Sequence, residues 1–129
     1  MVSEDRARRI SQRIQEELAE LFLFSVSDPR LDGVQLTDVR VDRELAYANV
    51  FVSALEGSER ETEILEGLDS AAGFLRYQLS QRIQLRSFPM LRFHWDPMPE
   101  HGDRIDRLIA SLHQEDDEGE KDNEAYDEE

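Results

Sequence analysis

The 129-residue chain has no cysteine, a single lysine (Lys121), a single tryptophan (Trp95) and no long apolar run. Without thiols there is no disulfide, no thiolate nucleophile and no thiolate metal site. No stretch of 18 apolar residues offers a membrane span, and the start MVSEDRARRI lacks the apolar core of a signal peptide, so a cytoplasmic location away from membranes is expected. The three histidines, His94, His101 and His113, stand too far apart for a recognisable metal motif. An EF-hand register on Gly119 would put Gln114 at the first ligand and Ala125 at the twelfth, which fails. Nucleophile elbow, phosphate loop and dinucleotide fingerprint are all missing. Carboxylates are too abundant for any pair to stand out as catalytic. Neither an enzyme nor a cofactor is expected.

What the chain does have is acid. Thirty Asp and Glu face 15 Lys and Arg, a formal charge of −15. The excess is uneven: residues 114–129 hold ten acids and one lysine, with too few apolar residues to offset the entropy of ordering. This reads as a disordered acidic tail behind a folded unit of residues 3–113. Fourteen of the 15 basic residues are arginine, which fits either codon bias or adaptation to high salt. Against this background, residues 70–95 (SAAGFLRYQLSQRIQLRSFPMLRFHW) contain four arginines and no acid.

Periodicity supplies the elements. Ser3 is placed to cap a helix whose first turn carries Glu4 and Asp5, and Ile10, Ile14, Leu18, Leu21 and Phe22 form its buried stripe. The helix should stop before Asp28-Pro29-Arg30. The β-branched VQLTDVRV (34–41) and the alternating LAYANVFVSAL (45–55) predict an antiparallel pair about a turn at 42–44. The apolar phase slips within the first strand, so a bulge or a late start is expected there. In the second, Ala46, Ala48, Val50 and Val52 share one face and Tyr47, Asn49, Phe51 and Ser53 the other; the aromatic face is expected to meet the helices. Helical period returns at Ile64, Leu65, Leu68, Ala71, Ala72, Leu75, Leu79 and Ile83. An unbroken helix over 59–84 would run about 39 Å, so a bend at Ala71-Ala72-Gly73 is expected, with small residues admitting another backbone. MLRFHW (90–95) is a third strand with Phe93 and Trp95 in the core, and Ile105, Leu108, Ile109 and Leu112 mark a short last helix. The result is an α+β fold.

In this order and spacing, the basic amphipathic first helix, Asp28-Pro29-Arg30, VDRELAYANVFVSAL (41–55), Ala71-Ala72-Gly73, GFLRYQLSQRIQLR (73–86) and FPMLRFHWD (88–96) together resemble the ribosome-binding factor A family over residues 4–112. The resemblance implies a type II KH-like domain, α-β-β-α-(kink)-α-β with helices on a three-stranded mixed sheet and a short C-terminal helix. It also implies an Ala-x-Gly kink in place of the GxxG loop that clamps nucleotides in ordinary KH domains; no GxxG occurs in this chain. The implied function is non-catalytic. The protein would bind free or immature small (30S) ribosomal subunits, contact 16S rRNA, assist late assembly and 5′-end maturation, and support growth in the cold. Ser80 and Gln81 depart from a glycine and a basic residue common in the family.

Because RNA affinity comes largely from arginine and lysine neutralising phosphates, the nominated contacts are Arg6, Arg8, Arg9 and Arg13 on the first helix, Arg30, and Arg76, Arg82 and Arg86 in the acid-free window. Ala71, Ala72 and Gly73 would shape the surface. Arg76 and Arg82 lie about 240° apart on a helix, so one of them is expected to be structural. Asp28-Pro29-Arg30 reads equally as a plain helix stop. The partners expected of a monomer are the small subunit and its rRNA, with other assembly factors or ribosomal proteins besides. The rival is a protein-interaction module whose acidic surface and tail engage basic partners; a third reading is a general single-stranded RNA binder.

Overall fold

Helix α1 occupies Glu4–Phe24 in the computed structural model, which describes residues 1–97. The Ser3 hydroxyl accepts the Arg6 amide at 3.1 Å, capping the helix as its sequence predicts. Ile14, Leu18 and Leu21 are fully buried, and each such side chain contributes about 1.5–3 kcal/mol on leaving water. Strands β1 (Val34–Val41) and β2 (Tyr47–Ala54) pair antiparallel. Helix α2 (Glu61–Arg82) then crosses over to β3 (Met90–Trp95), which lies parallel to β2. The sheet order β1-β2-β3 puts β2 in the middle. This is an α+β, KH-like arrangement of two helices on a mixed sheet. The expected last helix at 105–112 and the tail at 114–129 lie outside the described residues.

The slip of apolar phase in β1 is a bulge. Register shifts between Leu36 and Asp38, and the Thr37 hydroxyl donates to the Phe51 carbonyl at 3.1 Å. The turn after β1 runs longer than residues 42–44. Asp42 Oδ1 accepts the amides of both Ala46 and Tyr47, and Leu45 sits at φ 59°, a left-handed conformation that its branched side chain disfavours. Ser11 ties α1 to the sheet: its hydroxyl donates to the Ala7 carbonyl and accepts the Val41 amide at 3.0 Å.

One expectation is corrected. The face of β2 that joins the helices is the aliphatic one, Ala48, Val50, Val52 and Ala54, packed with Val39 and Trp95 against the apolar stripes of α1 and α2. The aromatic face does not meet them, although Phe51 and Asn49 on it are buried as well. A central strand is covered on both sides, so alternation alone cannot choose its inner face.

The expected kink falls within one helix. Residues 61–82 form one α-helix of 22 residues, about 33 Å along its length, continuous through Ala71-Ala72-Gly73. Leu68, Leu75 and Leu79 on either side are wholly buried, and glycine keeps helical dihedrals there without strain. Among the described residues no other backbone approaches: a β-carbon on Gly73 would meet none of their atoms within 4 Å. The close approach is one and a half turns earlier, at Gly67, where a β-carbon would sit 3.0 Å from Leu31 Cδ2 and 3.1 Å from Arg30 Cβ.

Candidate nucleic-acid interface

Arg6, Arg9 and Arg13 recur at i, i+3 and i+7 and are exposed along one face of α1. Arg13 reaches across to α2, its Nη2 donating to the Arg82 carbonyl at 3.1 Å and its Nε to Glu17 Oε2 at 3.4 Å. Arg82 returns the connection, donating from Nη1 to Glu17 Oε1 at 3.0 Å and Glu20 Oε1 at 3.1 Å. The hydrogen bond from Arg82, with support from Arg13, holds the Glu17 carboxyl below its usual range despite partial desolvation. This latch joins the arginine row of α1 to the C-terminal end of α2, and exposed Arg86 follows four residues later. Arg13 and Arg82 therefore meet across the two helices, with Arg6 and Arg9 on the face of α1 that carries Arg13 and Arg86 four residues past Arg82. Arg6, Arg9 and Arg86 make no side-chain hydrogen bond among the described residues and present their whole guanidinium groups.

The other nominated arginines are placed differently. Arg8 pairs with Asp5 at 3.0 Å on an exposed side of α1. Arg76 turns inward, donating from Nε to the Pro89 carbonyl at 3.0 Å and from Nη2 to the Phe88 carbonyl. It clamps α2 to the segment leading into β3, so both arginines suspected of structural work perform some.

Arg30 lies apart. Its guanidinium forms a two-point pair with Asp28, with Nη2 2.7 Å from Oδ2, and this hydrogen bonding holds the Asp28 carboxyl below its usual range. Asp28 Oδ1 also accepts the Arg30 amide, capping the 3-10 turn Pro29–Leu31. Arg60, which was not singled out in the sequence, locks that turn by donating to the carbonyls of Asp32 at 2.7 Å and Arg30 at 2.8 Å. Asp28-Pro29-Arg30 is thus the capped and braced start of a 3-10 turn beyond the end of α1 at Phe24, and Glu63 and Glu66 add further negative charge close to Arg30.

Sequence reasoning passed over two side chains. Phe74 and Tyr77 are 45% and 60% exposed on α2, beside Gly73. Their signal was available: they fall outside the Leu68, Leu75, Leu79 stripe, three residues apart on the opposite side. On the sheet face away from the helices, Arg92 lies 4.1 Å over the Tyr47 ring, and His94 Nε2 is 2.8 Å from Asn49 Oδ1. Burial, reinforced by the Arg92 charge, pushes His94 down to about 4, so it is neutral at physiological pH.

The chain that folds into these two helices on a three-stranded mixed sheet matches a known family. Residues 6–109 match the family model described as ribosome-binding factor A. The chain belongs to the ribosome-binding factor A family. It is 40% identical over 117 residues to ribosome-binding factor A of Aromatoleum aromaticum, covering 91% of this chain and 92% of the relative. The crystal structure of ribosome-binding factor A from Thermus thermophilus is similar at a TM-score of 0.63 and 26% identity, over 69% of this chain and 93% of that one. A Thermus thermophilus ribosome-binding factor A fitted into the cryo-EM map of its complex with the 30S subunit is similar at a TM-score of 0.56 and 25% identity, covering 70% and 94%.

Proposed function

We propose that this protein binds the small ribosomal subunit through its 16S rRNA and assists late assembly and 5′-end maturation of that rRNA without cleaving it. The observation that carries this reading is family membership, together with the likeness to a relative placed in a 30S complex. The geometry supports it through the row Arg6, Arg9, Arg13 joined to Arg82 and Arg86. A protein of −15 approaches RNA where its positive charge is gathered. Binding would favour one arrangement of the immature rRNA, shifting a population of conformers in place of breaking a bond. The domain would comprise residues 3–113 acting as a monomer, with the acidic tail dispensable for docking.

The test is co-sedimentation of the full chain with free small subunits, large subunits and assembled ribosomes over a salt series. Selective comigration with free small subunits that weakens as salt rises is expected. Charge reversal at Arg9 and Arg86 should lower the affinity and flatten its salt dependence by about one unit of log–log slope per lost phosphate contact. Comigration indifferent to salt would move the contact to protein and favour the second reading, docking of a basic ribosomal protein. The exposed acids Glu63, Glu66 and Asp69 on one face of α2 are the observation behind that reading.

A further inference from the structure

The exposed stripe of α2 changes chemistry halfway along the helix. Its exposed positions recur at 62, 63, 66, 69, 70, 73, 74, 77 and 81, a single helical face. The first half of that stripe carries Glu63, Glu66 and Asp69. The second half reads Ser70, Gly73, Phe74, Tyr77 and Gln81, without a charge of either sign, and ends one residue before Arg82. Two large rings held 45% and 60% in water gain nothing for this fold, whose core is filled from the opposite side of the same helix. Phe74 and Tyr77 at i, i+3 place their β-carbons about 5–6 Å apart. Among the described residues nothing stands within 4 Å of where a side chain on Gly73 would begin, which leaves the helix backbone beside the rings room for a close neighbour.

We propose that Phe74 and Tyr77 form a stacking platform for unpaired RNA bases, with Gly73 giving a strand room to lie against the helix and Gln81 offering an amide to a base edge. The occupant follows from charge and shape together. A strand carrying one negative charge per nucleotide is repelled by the acidic half of the stripe. It is accepted by the uncharged half, which leads to the arginine end of the molecule. A basic protein segment would choose the opposite half. Aromatic faces accept any base, so the rings supply affinity for unpaired nucleotides, and a duplex, whose bases are already stacked, gains nothing from them. This deepens the proposed docking on rRNA by assigning it a single-stranded target.

The experiment uses the full chain, a mixed-sequence single-stranded RNA 12-mer carrying one 2-aminopurine, a duplex of the same length, and purified small subunits. Phe74→Leu with Tyr77→Leu keeps the apolar bulk and a good helix former while removing both π-faces. Affinity for the single strand is expected to fall at least tenfold with its salt slope unchanged, 2-aminopurine quenching to be lost, and duplex affinity to stay within about twofold. The swap Phe74→Tyr with Tyr77→Phe should restore binding. Unchanged single-strand affinity in the leucine variant overturns the platform, and if wild type still comigrates with small subunits the docking reading survives that loss. Loss of subunit binding with single-strand affinity intact would give the rings to a protein contact and also overturn it. Ring-dependent quenching without comigration would keep the platform and remove the docking. A wild type that binds neither oligonucleotide nor subunit removes both.

Discussion

Two glycines six residues apart in α2 should respond to alanine with opposite signs. In a helix interior, alanine is favoured over glycine by about 0.8–1 kcal/mol, and this gain applies at both sites. At Gly73 nothing among the described residues opposes it, since none of their atoms lies within 4 Å of the new β-carbon. At Gly67 the β-carbon would press on Leu31 Cδ2 at 3.0 Å and Arg30 Cβ at 3.1 Å. Leu31 is buried and has little room to turn. Arg30 Cβ is fixed to the backbone of a turn capped by Asp28 and braced by Arg60, so it cannot swing away. Overpacking of this kind costs about 1–3 kcal/mol, which outweighs the helical gain. Gly67→Ala should therefore destabilise by about 1 kcal/mol and Gly73→Ala should stabilise by about the same amount. For a domain of this size the gap of about 2 kcal/mol separates the midpoints by roughly 8–16 °C. Thermal and urea melts followed by circular dichroism at 222 nm would measure it. A rise in Tm for both variants would refute the close packing of the 29–31 turn on α2, and a fall for both would refute the open, unbroken helix at Gly73.

Arg76→Ala leaves the carbonyls of Phe88 and Pro89, both on buried residues, without their donor and should cost about 1–3 kcal/mol in urea melts; a neutral result would show the clamp to be unimportant. Glu17→Gln weakens the latch between α1 and α2, costing about 1 kcal/mol for this half-exposed network, while freeing Arg13 and Arg82. RNA affinity at low salt should rise two- to fivefold as stability falls, and a parallel fall in both would refute the competition between carboxylate and phosphate. The Glu17 carboxyl is lowered in the fold, so its contribution is complete above the ordinary carboxylate range and fades as pH drops through its folded value. His94 titrates near 4 when folded and near 6.5 when unfolded, so the unfolded chain binds the extra proton between those values. Stability should be undiminished above pH 6.5 and decline by up to about 3 kcal/mol toward pH 4. His94→Gln should flatten that part of the curve, and identical slopes for the two proteins would refute the burial of a neutral imidazole.

The elements were legible where one physical signal governed them. Ser3, Glu4 and Asp5 announced the start of α1, and the phase slip between Leu36 and Val39 announced the bulge, because cap and pleat are local. The inner face of β2 was not legible, since a strand between two neighbours buries residues on both sides and its alternation carries no label for in and out. The continuity of α2 was harder to read: glycine permits a bend, but whether the helix carries on through Gly73 depends on the leucines buried on either side of it. Within the candidate site, composition located the acid-free window and the arginine row of α1. It could not say which guanidinium groups were already engaged, because Arg76 bonds carbonyls 12 and 13 residues away and Arg82 bonds carboxylates 62 and 65 residues away. Phe74 and Tyr77 were hidden by the habit of assigning aromatics to a core.

These engagements bear on how so acidic a protein would recognise RNA. Of the eight arginines nominated, Arg8, Arg13, Arg30, Arg76 and Arg82 hold carboxylates or backbone carbonyls of this chain. A guanidinium so engaged contributes little to counterion release until its partner lets go. Among the described residues, the salt-dependent share of affinity should then be carried by the free groups Arg6, Arg9 and Arg86, and should be smaller than 14 arginines suggest. An interface with modest electrostatic reach cannot rely on charge to choose among the phosphates of a ribosome. Discrimination has to come from features that charge does not supply: the shape of the arginine end, held by the Arg13–Glu17–Arg82 latch, and the rings that distinguish an unpaired base from a stacked one. On this argument, removal of the two rings should lower affinity for single strands by the same factor at every salt concentration and leave the salt dependence of both single-strand and duplex binding as it was.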